Sequence, residues 1–228
     1  MNLPTPTIER LGDAALLLRL GDGIDAQVNA HVHALARHIL AARPAWLVDL
    51  VPAYATLGVF VDVAAFDAAA DPLDAARDWL LARLATSPNT DATAATRTVE
   101  LHVDYGGDDG PDLDDVAAHA GLSPDEVVRR HAAGEYRVAM LGFAPGFPYL
   151  LGLDPALATP RLTTPRESVP AGSVAIGGAQ TGLYPQAGPG GWRLIGRTDA
   201  VLFDPQHAPP TALQPGDRVR FVARRRTP

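Results

Sequence analysis

Thr98–Asp104 alternates without a break: Val99, Leu101 and Val103 fall on one side, Thr98, Glu100, His102 and Asp104 on the other. A period of two is the mark of a half-buried strand. Thr7–Arg10 and Ala14–Leu20 read as two short strands around Gly12-Asp13. Trp46–Val51 and Thr56–Val63 read as a strand pair across Pro52-Ala53-Tyr54-Ala55. Tyr136–Leu141, Val201–Phe203 and Arg218–Ala223 carry the same apolar, branched signal. Elsewhere the period changes to that of a helix. Ile24, Val28, Val32, Leu35, Ile39 and Leu40 make one stripe along Ile24–Ala42, which Pro44 ends. Asp71 followed by Pro72 is a helix start, with Leu73, Ala76, Trp79, Leu80 and Leu84 giving the period. Asp112–His119 predicts a short helix stopped by Gly121. Ser123-Pro124-Asp125-Glu126 is a capping box that opens another, running to about Ala133.

This order divides the chain. Residues 1–86 predict a ferredoxin-like α+β domain. Ser87–Thr96 is small, polar and proline-bearing, so a linker is placed over 87–97. From 98 to 228, short strands punctuated by Gly and Pro predict a β-barrel domain. The densest punctuation lies in Leu141–Arg197, which holds 11 of the 21 glycines. That segment is too rich in Gly and Pro for a long helix and too apolar and aromatic for a disordered linker. Short strands and tight turns are expected there, with Phe147, Arg161, Arg166, Gln180, Tyr184, Trp192 and Arg197 as the side chains a site would use.

Composition narrows the chemistry. Cysteine is absent, which excludes disulfides, thiolate nucleophiles and Cys-ligated zinc, and fits a reducing compartment. All 19 basic residues are arginine. Without lysine there is no P-loop lysine, Schiff base or biotin attachment, so no cofactor is held covalently through one. Anions must be gripped by arginine forks or backbone N–H groups. A net charge of −7 argues against nucleic acid as a partner, although the two short helices around Gly121 have helix-turn-helix spacing. No uncharged apolar run approaches the ~20 residues of a membrane span, and a cytoplasmic protein is expected.

Candidate reactive groups are few. His31 and His38 share a side of the first long helix, but no carboxylate joins them at ligand spacing, and no metal site is expected. Ser173 follows Gly172 without a neighbouring base; only His131 is available to it through the fold. Gly177-Gly178-Ala179-Gln180-Thr181-Gly182 has the composition of an anion-binding backbone nest and equally of a hairpin turn. Arg161 and Arg166 each follow a proline, a stiffened setting that suits bidentate anion recognition or a surface ion pair. His131 ends a helix, where the dipole favours its cation, and it stands just before the Gly/Pro-rich segment.

The run Gly142-Phe143-Ala144-Pro145-Gly146-Phe147-Pro148-Tyr149-Leu150, then Pro160-Arg161, Pro165-Arg166, Val169-Pro170-Ala171-Gly172-Ser173, Gln180-Thr181-Gly182-Leu183-Tyr184-Pro185 and Pro189-Gly190-Gly191-Trp192-Arg193-Leu194-Ile195-Gly196-Arg197, resembles the allophanate hydrolase subunit 1 family. That family includes the B-type subunits of 5-oxoprolinase and Kip-type inhibitors of a sporulation histidine kinase. It is related to part of the carboxyltransferase domain of urea carboxylase. The resemblance implies a cyclophilin-like barrel after the N-terminal domain. It implies partners, namely the C-type subunit of 5-oxoprolinase, from the allophanate hydrolase subunit 2 family, and the A-type subunit. It also implies ATP with magnesium in the assembly. The implied reaction opens 5-oxo-L-proline to L-glutamate. On that reading Arg161, Arg166 and Arg197 clamp anions and His131 handles a proton, with Arg166 and His131 as the catalytic pair. Phe147, Gln180, Tyr184 and Trp192 form the substrate wall. A kinase-inhibiting module, and a carboxyltransferase half acting on urea-type substrates, are the alternatives.

Overall fold

The computed structural model describes residues 6–67, 71–86 and 97–224. The chain divides into two compact units, Met1–Ala95 and Thr96–Pro228. Apart from Arg97, the linker expected over 87–97 lies outside the described residues, as do Arg225 and Arg226 of the basic tail.

In the first unit, strands β1 (Thr7–Arg10), β2 (Ala15–Arg19), β3 (Leu47–Pro52) and β4 (Thr56–Val61) form an antiparallel sheet in the order β1-β2-β4-β3. Helices α1 (Ala26–Ala42) and α2 (Pro72–Ala85) complete the layer. Asp25 accepts hydrogen bonds from the Gln27 and Val28 amides, so α1 starts two residues later than the apolar stripe suggests, leaving Ile24 exposed. Asp71 caps α2 in the same way through the Leu73 and Asp74 amides. Leu35 and Ile39 of α1 and Leu80 of α2 pack with Leu18, Leu57 and Val59 of the sheet.

The second unit is built on a closed barrel. Its strands are β5 (Thr98–Tyr105), β6 (Tyr136–Leu141), β7 (Pro148–Leu151), β9 (Ser173–Gly177), β10 (Gln180–Leu183), β12 (Arg193–Arg197) and β13 (Arg218–Ala223), in the order β10-β7-β6-β13-β5-β12-β9. Only β13 and β5 run parallel. β8 (Arg166–Val169) and β11 (Gly188–Gly190) form a separate two-stranded ribbon. Val103, Val138, Leu150, Val174, Ile176, Ile195 and Phe221 belong to the barrel core. Helices α3 (Leu113–Ala120) and α4 (Pro124–Ala133) add Val116 and Val127 to it. The protein is thus an α+β chain with a closed seven-stranded barrel.

Two expectations need correction. Val201–Phe203 is not a strand: Phe203 makes a single bridge to Thr211. The chain between them carries Pro205, Pro209 and Pro210, which have no N–H to extend a ladder. The basic run Arg224-Arg225-Arg226 predicts a solvated tail, yet Arg224 pairs with Asp104 and Asp199 at 3.2 and 2.5 Å.

Candidate functional site

Because side chains alternate across a strand, the barrel walls that bury Leu150, Val174, Ile176 and Ile195 turn Tyr149, Ala175 and Leu194 outward. Phe147, Val169, Tyr184 and Trp192 join those outward residues in a second apolar cluster. Over it opens a cleft of about 270 Å³. Phe143, Phe147 and Tyr149 come from the β6–β7 connection and β7, and Tyr184 follows β10. Arg161, Leu162 and Pro165 come from the segment before β8, Gly190 ends β11, and Gly191 and Trp192 form the link to β12.

Its floor depends on missing side chains. A Cβ on Gly177 would lie 2.5 Å from the Trp192 ring, and one on Gly182 would lie 3.1 Å from it. The indole therefore rests directly on the backbone of β9 and β10. Gly177→Ala is expected to lift Trp192 and destabilise the protein by about 1–3 kcal/mol, the usual cost of overpacking. A wild-type urea midpoint and unchanged tryptophan emission would refute that.

Phe147 is the hub of the wall. Its ring meets Tyr184 at 5.2 Å and Trp192 at 5.5 Å, both near-perpendicular, and Tyr149 at 5.0 Å. Edge-to-face pairs of this kind each add about 0.5–1.5 kcal/mol beyond burial, so the wall is stiff. Phe143 stands at the rim, 66% exposed. Its φ of +67° is the only value of a non-glycine well inside the left-handed region among the described residues. The Ala144 amide donates to the Gly142 carbonyl at 2.8 Å, closing a three-residue turn with Phe143 at its apex. Such a conformation costs an aromatic residue about 1–3 kcal/mol.

The one cation in the cleft is Arg161. Its guanidinium lies 5.3 Å from the centre of the Trp192 ring, and among the described residues no carboxylate pairs with it. Burial pushes the Tyr184 hydroxyl above its ordinary pKa, while the Trp192 amide and the charges of Arg161 and Arg166 pull it back. A cation on an aromatic wall, with no acid of its own, is suited to a small anion with an apolar body. The structure has a larger hollow, about 460 Å³, between Tyr105-Gly106-Gly107 and helices α3 and α4. It presents Asp114 and Asp125, and its one arginine is Arg224, already engaged by two aspartates. The cleft is the better candidate on its chemistry.

The structure brings Phe147, Arg161, Tyr184 and Trp192 together in the cleft. The other four residues singled out in the sequence do not line it. Arg166 stands behind the wall, paired across the ribbon with Gly190. Its Nη2 donates to Asp112 Oδ1 at 2.7 Å, and Asp112 Oδ2 accepts the Leu194 amide at 2.7 Å. A buried carboxylate thus anchors both the arginine and β12, which sets the position of the neighbouring Trp192. Arg197, at the far end of β12, pairs with Asp109 at 2.6 Å. Gln180 is buried at the start of β10, opposite Gly177. The glycine-rich nest is a hairpin turn: the Gly178 amide and carbonyl are both bonded to Thr159.

His131 is placed differently from the expected proton handler. It is fully buried, stacked at 4.6 Å on Phe221 of the barrel core. Thr181 Oγ1 donates its only hydrogen to the Ala175 carbonyl at 2.9 Å, so it must accept from His131 Nε2 at 3.0 Å. That leaves Nδ1 to accept from the Tyr105 hydroxyl at 2.8 Å. Every polar atom of the neutral ring is satisfied, and desolvation lowers its pKa to about 3. Ser173, considered as a nucleophile, is also buried, with Arg197 as its partner across the β9–β12 pairing. Among the described residues, no three His, Asp or Glu are grouped to hold a metal ion, and no helix is long and apolar enough to cross a membrane.

The model of the family called carboxyltransferase domain, subdomain C and D, matches residues 6–213. A Bacillus subtilis protein, named as the B-type subunit of 5-oxoprolinase, is 46% identical over 220 residues, 94% of this chain and 91% of that one. The Haemophilus influenzae protein of the same name is 41% identical over 212 residues, 93% and 95% of the two chains. The crystal structure of TTHA0988 superposes with a TM-score of 0.79 at 40% identity, covering 93% of this chain and 40% of that one. This chain therefore spans two fifths of the TTHA0988 polypeptide.

Proposed function

The chain belongs to the carboxyltransferase domain, subdomain C and D, family, and from that premise we propose that it is the B-type subunit of an ATP-dependent 5-oxoprolinase, which opens 5-oxo-L-proline to L-glutamate. The observation that carries this reading is the unpaired Arg161 lying over Trp192 in an aromatic cleft. The proposed substrate is a five-membered lactam with one carboxylate. Its ring methylenes match a wall of phenyl and indole faces, and its carboxylate matches a single guanidinium fork.

In the overall reaction the lactam C–N bond breaks, the carbon gains the oxygen of water and the nitrogen gains the protons. The cleft does not fit a magnesium–nucleotide site: among the described residues no carboxylate lines it to share a magnesium ion, and its one charged side chain is Arg161. In the glycine-rich segment the Gly178 amide is already bonded to the Thr159 carbonyl. We therefore assign ATP to the assembly. This chain's share is to hold the carboxylate at Arg161, to orient the ring against Phe147, Tyr184 and Trp192, and to shelter it from water on that side. The C-type and A-type subunits of 5-oxoprolinase are the proposed partners. The relatives are named as parts of a larger enzyme, and TTHA0988 carries further sequence in the same polypeptide. Both are consistent with a site finished by a second body.

Combining this chain with the A-type and C-type subunits should give ATP-dependent formation of glutamate from 5-oxo-L-proline, and omitting this chain should stop it. Equal glutamate formation with and without this chain would reject the reading.

A further inference from the structure

Phe143 sits in a backbone conformation that glycine would adopt without strain, and most of its ring faces solvent. Neither feature helps the folded chain. Glycine at this position would relieve the turn, and an exposed phenyl ring recovers little burial. The turn is nevertheless closed tightly. The Gly142 amide donates to the Phe147 carbonyl and the Phe147 amide to the Ala144 carbonyl, at 3.1 and 3.0 Å. What the turn achieves is placement. The ring stands at the mouth of the cleft, edge-on to Phe147 at 5.4 Å and to Tyr184 at 6.3 Å, with its remaining surface open. On its other side lies a shallow hollow formed with Leu141, Ala144, Pro145, Phe203 and Thr211, so the ring has room to swing.

We propose that Phe143 is a ligand-contacting, specificity-determining residue of the cleft, a strained rim aromatic that packs on the apolar face of a small cyclic carboxylate whose anion is held by Arg161. The inference rests on the cleft reading given above and extends it to a residue that the motif chemistry leaves unassigned. Ligand covering the ring adds to the edge contacts with Phe147 and Tyr184 that already hold it. The two properties should therefore separate on substitution: losing the ring weakens binding, and of two variants without the ring the one with glycine keeps the turn free of strain.

The test titrates 5-oxo-L-proline calorimetrically into the full chain assembled with the A-type and C-type subunits, without ATP, and follows the thermal unfolding of the full chain. Phe143→Gly and Phe143→Ala should both bind roughly tenfold more weakly, the order of a lost aromatic contact, and the glycine variant should unfold at the higher temperature of the two because only glycine takes the positive φ without strain. Phe143→Tyr should bind as wild type does. Arg161→Gln should lose binding with an unchanged midpoint. Loss of binding in Arg161→Gln with wild-type affinity in Phe143→Gly would overturn the role of Phe143 and leave the cleft reading standing. A midpoint in Phe143→Gly no higher than in Phe143→Ala would also overturn it, because the turn would then hold no strain for the ring's placement to explain. No binding by the unaltered assembly, or full binding by the assembly carrying Arg161→Gln, would overturn the cleft reading and this inference with it.

Discussion

Replacing Arg161 by glutamine is expected to lower kcat/KM for 5-oxo-L-proline in the reconstituted enzyme by about a hundredfold. Truncating one partner of a desolvated, hydrogen-bonded charge pair costs about 2–5 kcal/mol, and the cleft is partly open, which favours the lower end of that range. A factor of a hundred corresponds to about 2.7 kcal/mol. Most of the loss should appear in KM. In the proposed pose the carboxylate contacts Arg161 in ground state and transition state alike, and the loss of uniform binding raises KM without lowering kcat in proportion. Arg161→Lys should recover part of the loss, since an ammonium restores the charge but not the planar fork or the stacking on Trp192. Fold and stability should hardly change, because Arg161 has no ion pair among the described residues. Steady-state kinetics at several concentrations of 5-oxo-L-proline separate the terms. An unchanged KM, or an equal fall in kcat with KM constant, would remove Arg161 from the carboxylate site.

Arg161 also marks how far the sequence can be read. Local signals set most elements. The serine, proline and glutamate at 123, 124 and 126 place α4, with the Glu126 amide bonded to Ser123 Oγ, and the alternation of residues 98–104 places β5. Long-range pairing leaves no such signal. Arg161 and Arg166 look alike, each after a proline, yet Arg166 meets Asp112, 54 residues away, and Arg161 meets an aromatic ring. No local pattern separates a paired arginine from a free one, and the same holds for Arg197 with Asp109. Phe143 escapes a reading of the sequence because nothing in an aromatic residue announces a positive φ. Asp112 reads only as the edge of a helix, while its side chain ties that edge to Arg166 and Leu194. For His131 the signal is present and points away from catalysis. It stands four residues after Val127, and those two are the buried residues of α4, so helical spacing turns it toward the core rather than toward a substrate.

That buried histidine gives a second large effect, on stability and not on turnover. Its ordinary pKa is about 6.5 in the unfolded chain. In the folded protein it is lowered to about 3 by desolvation, with the Tyr105 and Tyr136 rings and Phe221 packed around it and no acid in contact to favour the cation. The neutral form is the one that fits, so the unfolded chain takes up a proton before the folded one does. The contribution to stability is whole above pH 6.5 and is lost as the pH falls toward 3. Between pH 7 and 4.5 the loss from this single group amounts to about 2.5 kcal/mol, a little under two pH units at about 1.4 kcal/mol each. Other groups also titrate over that range, so the useful quantity is the difference between wild type and His131→Gln. Glutamine still offers a donor and an acceptor to Thr181 and Tyr105 but takes up no proton. Trp192 is the only tryptophan of the second unit, and with Trp46 and Trp79 replaced by phenylalanine it reports the unfolding of the barrel in urea. At pH 7 the variant should be less stable than wild type, because an amide fills the stacked site on Phe221 poorly. Between pH 7 and 4.5 that deficit should shrink by about 2.5 kcal/mol, or reverse. A deficit that stays constant across the range would mean that His131 takes up its proton in the folded barrel as readily as in the unfolded chain, and the buried network described for it would be wrong.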